Sequence, residues 1–181
     1  MGWLHLSVAR FGLPKFDFPI VPCLKLKKYQ YVLDWYRNPE NHDYKKSLET
    51  MIAGVPHTFA WGGIHGAKKQ NTESGVLLNM DVTAYYPSIQ IQYKYGYRNM
   101  ANPENFELIH KENLRYKAEG NKKARSPFKI ADNSMSGQLK DKNSKLYDPL
   151  MNNAVCVNGQ LMLLMLIEMV EPHAQLVQSN T

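Results

Sequence analysis

Between residues 102 and 137 the chain carries two helix-start signals with a glycine between them, and this pattern constrains the fold more than any other feature. Asn102-Pro103-Glu104 supplies a cap, a first-turn proline and an acid, and a helical pattern runs from there to Gly120. A second helix is expected from Asn121 or, by preference, from the Ser126-Pro127 start, and extends through Gly137. So short a connection folds consecutive helices back on each other, so residues 102–137 are expected to form an antiparallel helical hairpin.

The flanking segments alternate in type. Val76 to Val82 is apolar except for Asn79 and Asp81 and holds the β-branched valines of a buried strand, so it is expected to be a strand that ends by delivering Asp81. Pro87 stands in the first turn of a helix expected to run towards Tyr95, where a missing N–H does no harm. Beyond the hairpin, Asn158 is expected to cap an apolar helix reaching about Glu171, Pro172 ends it, and His173 to Asn180 reads as a strand. Residues 1–40, with Pro14, Pro19, Pro22 and Pro39, read as irregular packed chain with short extended pieces. Asp43 is placed to cap a helix through Glu49 to about Ala53, with Gly54 at its end. His57 to Gln70, passing Gly62, Gly63 and Gly66, reads as a loop or a bend between strands. The order strand, helix, helical hairpin, helix, strand gives an α+β fold: one domain with an inserted subdomain.

Size and composition are compatible with that. A chain of 181 residues buries one sizeable core, and 44% hydrophobic with 11% aromatic residues excludes a disordered class. The formal charge of +6 suits a polyanionic partner. Basic residues cluster at Lys25/Lys27/Lys28, at Lys68/Lys69 and from Lys111 to Lys129, and a solvated face explains such clusters as well as nucleic acid does. Cys23 and Cys156 make neither a metal spacing nor a disulfide framework, which agrees with a reducing cytoplasm. The longest apolar run, Leu161 to Ile167, falls short of the ~20 residues of a membrane span, so no membrane partner is expected.

Three segments carry chemistry. The first is Asp81-Val82-Thr83-Ala84-Tyr85-Tyr86-Pro87-Ser88-Ile89. A carboxylate at a strand end followed by a helix N-terminus can hold a divalent cation beside phosphate oxygens, although a plain acidic turn would look the same. The second is Lys129-Ile130-Ala131-Asp132-Asn133-Ser134-Met135-Ser136-Gly137, in which Lys129 and Asn133 lie one helical turn apart and share a face. The third is Gln178-Ser179-Asn180-Thr181, on the expected last strand.

The first segment resembles motif A of family B DNA polymerases, D-x-x-S-L-Y-P-S-I, with Asp81, Tyr86, Pro87, Ser88 and Ile89 in register. The second resembles their motif B, K-x-x-x-N-S-x-Y-G, with Lys129, Asn133, Ser134 and Gly137 in place and Ser136 where the family has a tyrosine. The third resembles the start of motif C, Y-x-D-T-D, with Asn180 in place of the first aspartate. Trp61-Gly62-Gly63 is similar to the glycine pair that precedes motif A in such enzymes and touches the template strand.

The resemblance, of phage type, implies a palm, a small antiparallel sheet backed by helices, formed by 61–101 and 138–181. It also implies a fingers hairpin at 102–137 and an irregular segment 1–60 packing on the palm. It implies metal contact by Asp81, the catalytic carboxylate, and by the Val82 carbonyl. Nucleotide contact is implied for Thr83, Ala84, Tyr85, Tyr86, Lys129 and Asn133, and DNA contact for Gly62, Gly63, Ser136 and Gly137. Among the hairpin cations Lys111, Arg115, Lys117, Lys122 and Lys123, Arg115 is favoured for the triphosphate, by its position one arm away from Lys129.

The expected reaction is template-directed transfer of deoxynucleotides from dNTP to the 3′-hydroxyl of a primer-template, assisted by two Mg²⁺ ions, in a cytoplasm that is the host's if a phage encodes the chain. The second motif C aspartate and the thumb would follow Thr181, so residues 1–181 alone are expected to be inactive and to bind DNA weakly and with strong salt dependence. A separate chain would be one source of the missing segment. Two alternatives stay open: a noncatalytic nucleic-acid-binding remnant, and another palm-type polymerase such as a reverse transcriptase.

Overall fold

A computed structural model describes residues 15–69 and 75–181. The N-terminal part of the segment read as irregular, through Pro14, and the end of the glycine loop at Gln70 lie outside the described residues. The described chain is mixed α+β, with five α-helices and one four-stranded antiparallel sheet. It divides into two compact units: Val82–Val155 with the described residues up to Phe18, and Pro19–Asp81 with Cys156–Thr181.

The sheet lies in the second unit, in the order β1 (Ser47–Ile52), β2 (Val55–Ala60), β3 (Gly63–Ala67), β4 (Gln178–Asn180). Expected as a helix end, Ala53-Gly54 is instead the hairpin turn between β1 and β2, with φ of 48° and 77°. Two consecutive positive φ values give the turn whose twist matches the flanking strands. The helix expected over 43–53 is therefore replaced by a strand. Leu48, Thr50 and Ile52 alternate with the exposed Ser47, Glu49 and Met51, and this period of two outweighs the local cap signals. The expected glycine loop likewise resolves into β2 and β3, joined through Trp61-Gly62. Val55, His57 and Phe59 face inward from β2, and Ile64 and Gly66 do so from β3.

Helix α1 (Gln30–Arg37) occupies the proline-free window between Pro22 and Pro39, where irregular chain was expected, and buries Val32, Leu33 and Tyr36. Helix α5 (Pro149–Val170) begins nine residues earlier than expected, counting from Asn158 back to Pro149. Asp148 starts it, accepting the Met151 N–H at 3.2 Å, and Pro149 takes the first helical position. Asn158 is thus an interior residue. Its amide bridges two backbone groups, accepting the Val21 N–H at 2.9 Å and donating to the Pro19 carbonyl at 2.8 Å. Gln160, also fully buried, donates to the Ala60 carbonyl at 2.9 Å and accepts the Tyr36 hydroxyl at 2.8 Å. These two amides anchor the chain at 19–21 and the end of β2 to a largely apolar helix. Among the described residues α5 alone is long and apolar enough to cross a membrane, and most of that stretch is buried inside the protein, as in a core helix.

The first unit contains the hairpin. Helices α2 (Tyr85–Tyr93), α3 (Pro103–Ala118) and α4 (Lys122–Lys140) follow one another, and α2 packs against both later helices. The contacts His110 with Asp132, Asn113 with Arg125 and Tyr116 with Phe128 show that α3 and α4 run antiparallel. Asn121 caps α4 by accepting the Ala124 N–H at 3.1 Å, so the earlier of the two expected starts is the one used. Pro127 therefore sits inside the helix rather than at its first turn.

Candidate functional site

The site residues expected from sequence divide between the units. Asp81, Gly62 and Gly63 belong to the sheet-bearing unit; Val82, Thr83, Ala84, Tyr85, Tyr86, Arg115, Lys129, Asn133, Ser136 and Gly137 belong to the other.

The approach to Asp81 differs from expectation. No strand forms over 76–82, and Val76, Leu77, Leu78, Met80 and Val82 are all exposed, Val76 fully. Strand composition reports a side chain's fit to a pleated, half-buried surface; without a neighbouring edge to supply hydrogen bonds, an apolar run does not become a strand. Asp81 itself is exposed.

Immediately after it the chain follows the expected course. Ala84 adopts φ 48°, ψ 50° and turns the backbone into α2, and the Ser88 N–H donates to the Ala84 carbonyl at 2.9 Å. Pro87 falls in the first turn, as its fixed φ suits, and the Tyr85 and Tyr86 rings stack with centroids 5.8 Å apart. The positive end of the helix dipole lies at this turn and favours anionic groups.

Two side-chain bonds fasten α2 and the turn before it to the hairpin. Lys117, in the last turn of α3, donates to the Thr83 hydroxyl. Ser136 on α4 donates to the fully buried Gln90 of α2 at 3.0 Å. Thr83 at the turn and Ser136 in the second motif are therefore parts of one packed body. Lys129 and Asn133 lie one turn apart on the exposed side of α4, and so does Gly137. This strip borders the buried side of the helix, since Asp132, fully buried like Leu139, follows Lys129 by three residues.

Arg115 is committed elsewhere. Its guanidinium donates to Glu112 at 2.5 Å and to Glu119 at 2.7 Å and lies over the Tyr116 ring, 4.1 Å from its centroid. The two carboxylates raise its pKa above the ordinary arginine value, and the Arg115 guanidinium in turn depresses that of Glu112. Glu112 and Glu119 stand at i−3 and i+4 from Arg115, so this neutralisation was readable from spacing. Lys117, carrying no such partner in the sequence, is the hairpin cation that reaches the first motif.

Three further polar groups escaped sequence reasoning. Asp132 is fully buried between α3 and α4, where it accepts His110 Nδ1 at 3.0 Å and Asn113 Nδ2 at 2.6 Å. Asn113 in turn accepts the Arg125 Nε–H at 2.9 Å. In the other unit His57 meets Ser179, the second residue of the third motif, at 2.7 Å. Pairings across an interhelical seam or between non-adjacent strands leave no mark in local periodicity. On β4, Gln178 and Asn180 point to the exposed side of the sheet, Asn180 opposite His65.

The groups expected to meet Mg²⁺ are hard oxygen donors of the right kind. Asp81 and the Val82 carbonyl nevertheless supply fewer ligands than even one octahedral ion takes, and among the described residues no three His, Cys, Asp or Glu side chains converge. The described residues do not by themselves make a two-ion site.

No family model, no curated protein and no solved structure matches this chain.

Proposed function

We propose that the chain takes part in template-directed nucleotidyl transfer as the palm-and-fingers region of a family B-like DNA polymerase. The observation that carries the reading is the attachment to the helical hairpin of the Thr83–Tyr86 turn, through Lys117, and of the helix that follows it, through Ser136 and Gln90. From Val82 onward the first of two segments that resemble different polymerase motifs, separated by some forty residues of sequence, folds into one packed unit with the second. A coincidental resemblance gives no reason for that.

On this reading the hairpin binds the triphosphate of an incoming deoxynucleotide. Lys129 and Asn133 present a cation and an amide from one exposed face, Lys117 adds a second cation beside Thr83, and the N-terminus of α2 favours the phosphate charge. Tyr86 is the residue placed under the sugar, and Gly62, Gly63 and Gly137 are the positions where DNA backbone can come close. Asp81 contributes one exposed carboxylate.

The test is primer extension by the full product of the reading frame, with labelled dNTP and Mg²⁺, compared with its Asp81→Ala and Lys129→Ala variants. Template-dependent incorporation that falls about a hundredfold or more in each variant supports the reading. Both substituted side chains are exposed, so neither change should alter folding beyond ~0.5 kcal/mol. Primer-template binding without incorporation would favour the noncatalytic nucleic-acid-binding alternative, and the absence of both would refute the proposal.

A further inference from the structure

His57, Gly66 and Ser179 form a row across three neighbouring strands. The register pairs His57 with Gly66 and Gly66 with Ser179, so all three side-chain positions fall on the inward face of the sheet. A Cβ on Gly66 would stand 2.1 Å from the His57 ring, so the glycine leaves the space through which the imidazole crosses β3 to reach β4. His57 Nδ1 lies 2.8 Å from the Val55 carbonyl and Nε2 2.7 Å from the Ser179 hydroxyl. A carbonyl only accepts, so Nδ1 carries the proton and Nε2 accepts the Ser179 O–H.

We propose that His57 is a clasp that holds the edge strand β4 in register on the sheet through Ser179, and that protonation of the imidazole opens it. The proposal stands apart from the polymerase reading, since such a clasp would act whatever the chain binds.

The geometry gives the reason. The ring is only 3% exposed and stacks on Phe59 with centroids 6.1 Å apart. Its surroundings among the described residues bring it no carboxylate: it faces Thr50 on β1, Gly66 on β3 and Ser179 on β4. On α1, Asp34 accepts from Gln30; on α5, Glu168 accepts the backbone N–H groups of Lys27 and Tyr29, and Glu171 pairs with Lys28. An imidazolium here would be desolvated without a counter-charge, and burial accordingly holds the His57 pKa below the ordinary histidine value. Adding the proton to Nε2 also reverses this bond, so the Ser179 hydroxyl, a donor to the neutral ring, has to turn and accept instead. Of the strands around the ring, β4 is the shortest, spanning Gln178–Asn180, and lies at the sheet edge, so it is the cover that lifts with least loss.

Two measurements on the whole chain test this. Histidine ¹⁵N spectra at neutral pH should show the Nδ1–H tautomer for His57; an Nε2–H tautomer would overturn the proposal. Amide exchange, corrected for intrinsic rates, should show the Ser179 and Thr181 amides losing protection by about two- to tenfold between about pH 8 and about pH 5, the worth of one hydrogen bond, while the β1–β2 amides hold steady. In Ser179→Ala that protection should be low and flat with pH. Ser179→Thr, which keeps the hydroxyl, should restore the slope, and it serves also where the alanine variant fails to fold. A wild type without the slope, or an alanine variant that keeps it, sinks the clasp.

Discussion

Removing the Asp132 carboxylate should destabilise the chain by about 2–5 kcal/mol when the replacement is alanine, yet by only about 1 kcal/mol when it is asparagine. The structure sets both figures. Asp132 is fully buried and accepts from His110 Nδ1, 3.0 and 3.1 Å from its two oxygens, and from Asn113 Nδ2 at 2.6 Å. Alanine strands both donors in the seam between α3 and α4, and an unmet buried donor costs about 1–3 kcal/mol. Asparagine retains an oxygen for Asn113 and turns an NH₂ towards His110. A neutral imidazole answers by moving its proton to Nε2, so that Nδ1 becomes the acceptor. What is lost is the charge-assisted part of the interaction. Urea unfolding followed by far-UV circular dichroism, with free energies from linear extrapolation, separates the two variants. An alanine variant within 1 kcal/mol of wild type would show that the network contributes nothing, and equal losses in both variants would refute the tautomer argument.

Gly96→Ala should cost about 1–3 kcal/mol in the same assay, because Gly96 has φ +83° and a Cβ there would stand 2.7 Å from the fully buried Leu139 side chain. Stability should also rise with pH across the histidine range. The folded His57 resists protonation, so below the ordinary value of about 6.5 the unfolded chain binds more protons; the contribution is complete above that value and is lost as pH falls from it through the depressed folded one. A midpoint that fails to drop between about pH 7.5 and about pH 5, or drops equally in His57→Gln, would contradict this.

Local signals located the hairpin because α3 and α4 are each long enough for caps, prolines and a turn glycine to agree. Pro87 was placed correctly for the same reason: its fixed φ acts on its own neighbours. The errors share one cause. In β1 the alternation of Leu48, Thr50 and Ile52 competed with cap-like residues at Asp43 and Gly54, and pairing with β2 decided the outcome. At 76–82 the opposite occurred, where composition favoured a strand and no partner edge was supplied. Asn158 resembled a cap because caps and buried bridging amides draw on the same residue type; only the approach of Pro19 and Val21, more than a hundred residues away in sequence, distinguishes them. For the candidate site, sequence singled out the exposed pair Lys129 and Asn133 but not the fully buried Gln90 and Asp132, nor the half-buried Ser179, that fix neighbouring elements.

Pro127 has a mechanical corollary. It can donate nothing to the Lys123 carbonyl, so the ladder of α4 is one rung short a little more than a turn from its start. The missing rung lies between the Gly120 bend and the stretch bearing Lys129 and Asn133, where the Arg125–Asn113 bond and the Tyr116–Phe128 contact tie α4 to α3 instead. Substituting the proline with alanine would supply the missing donor and complete the ladder from Asn121 to Lys140.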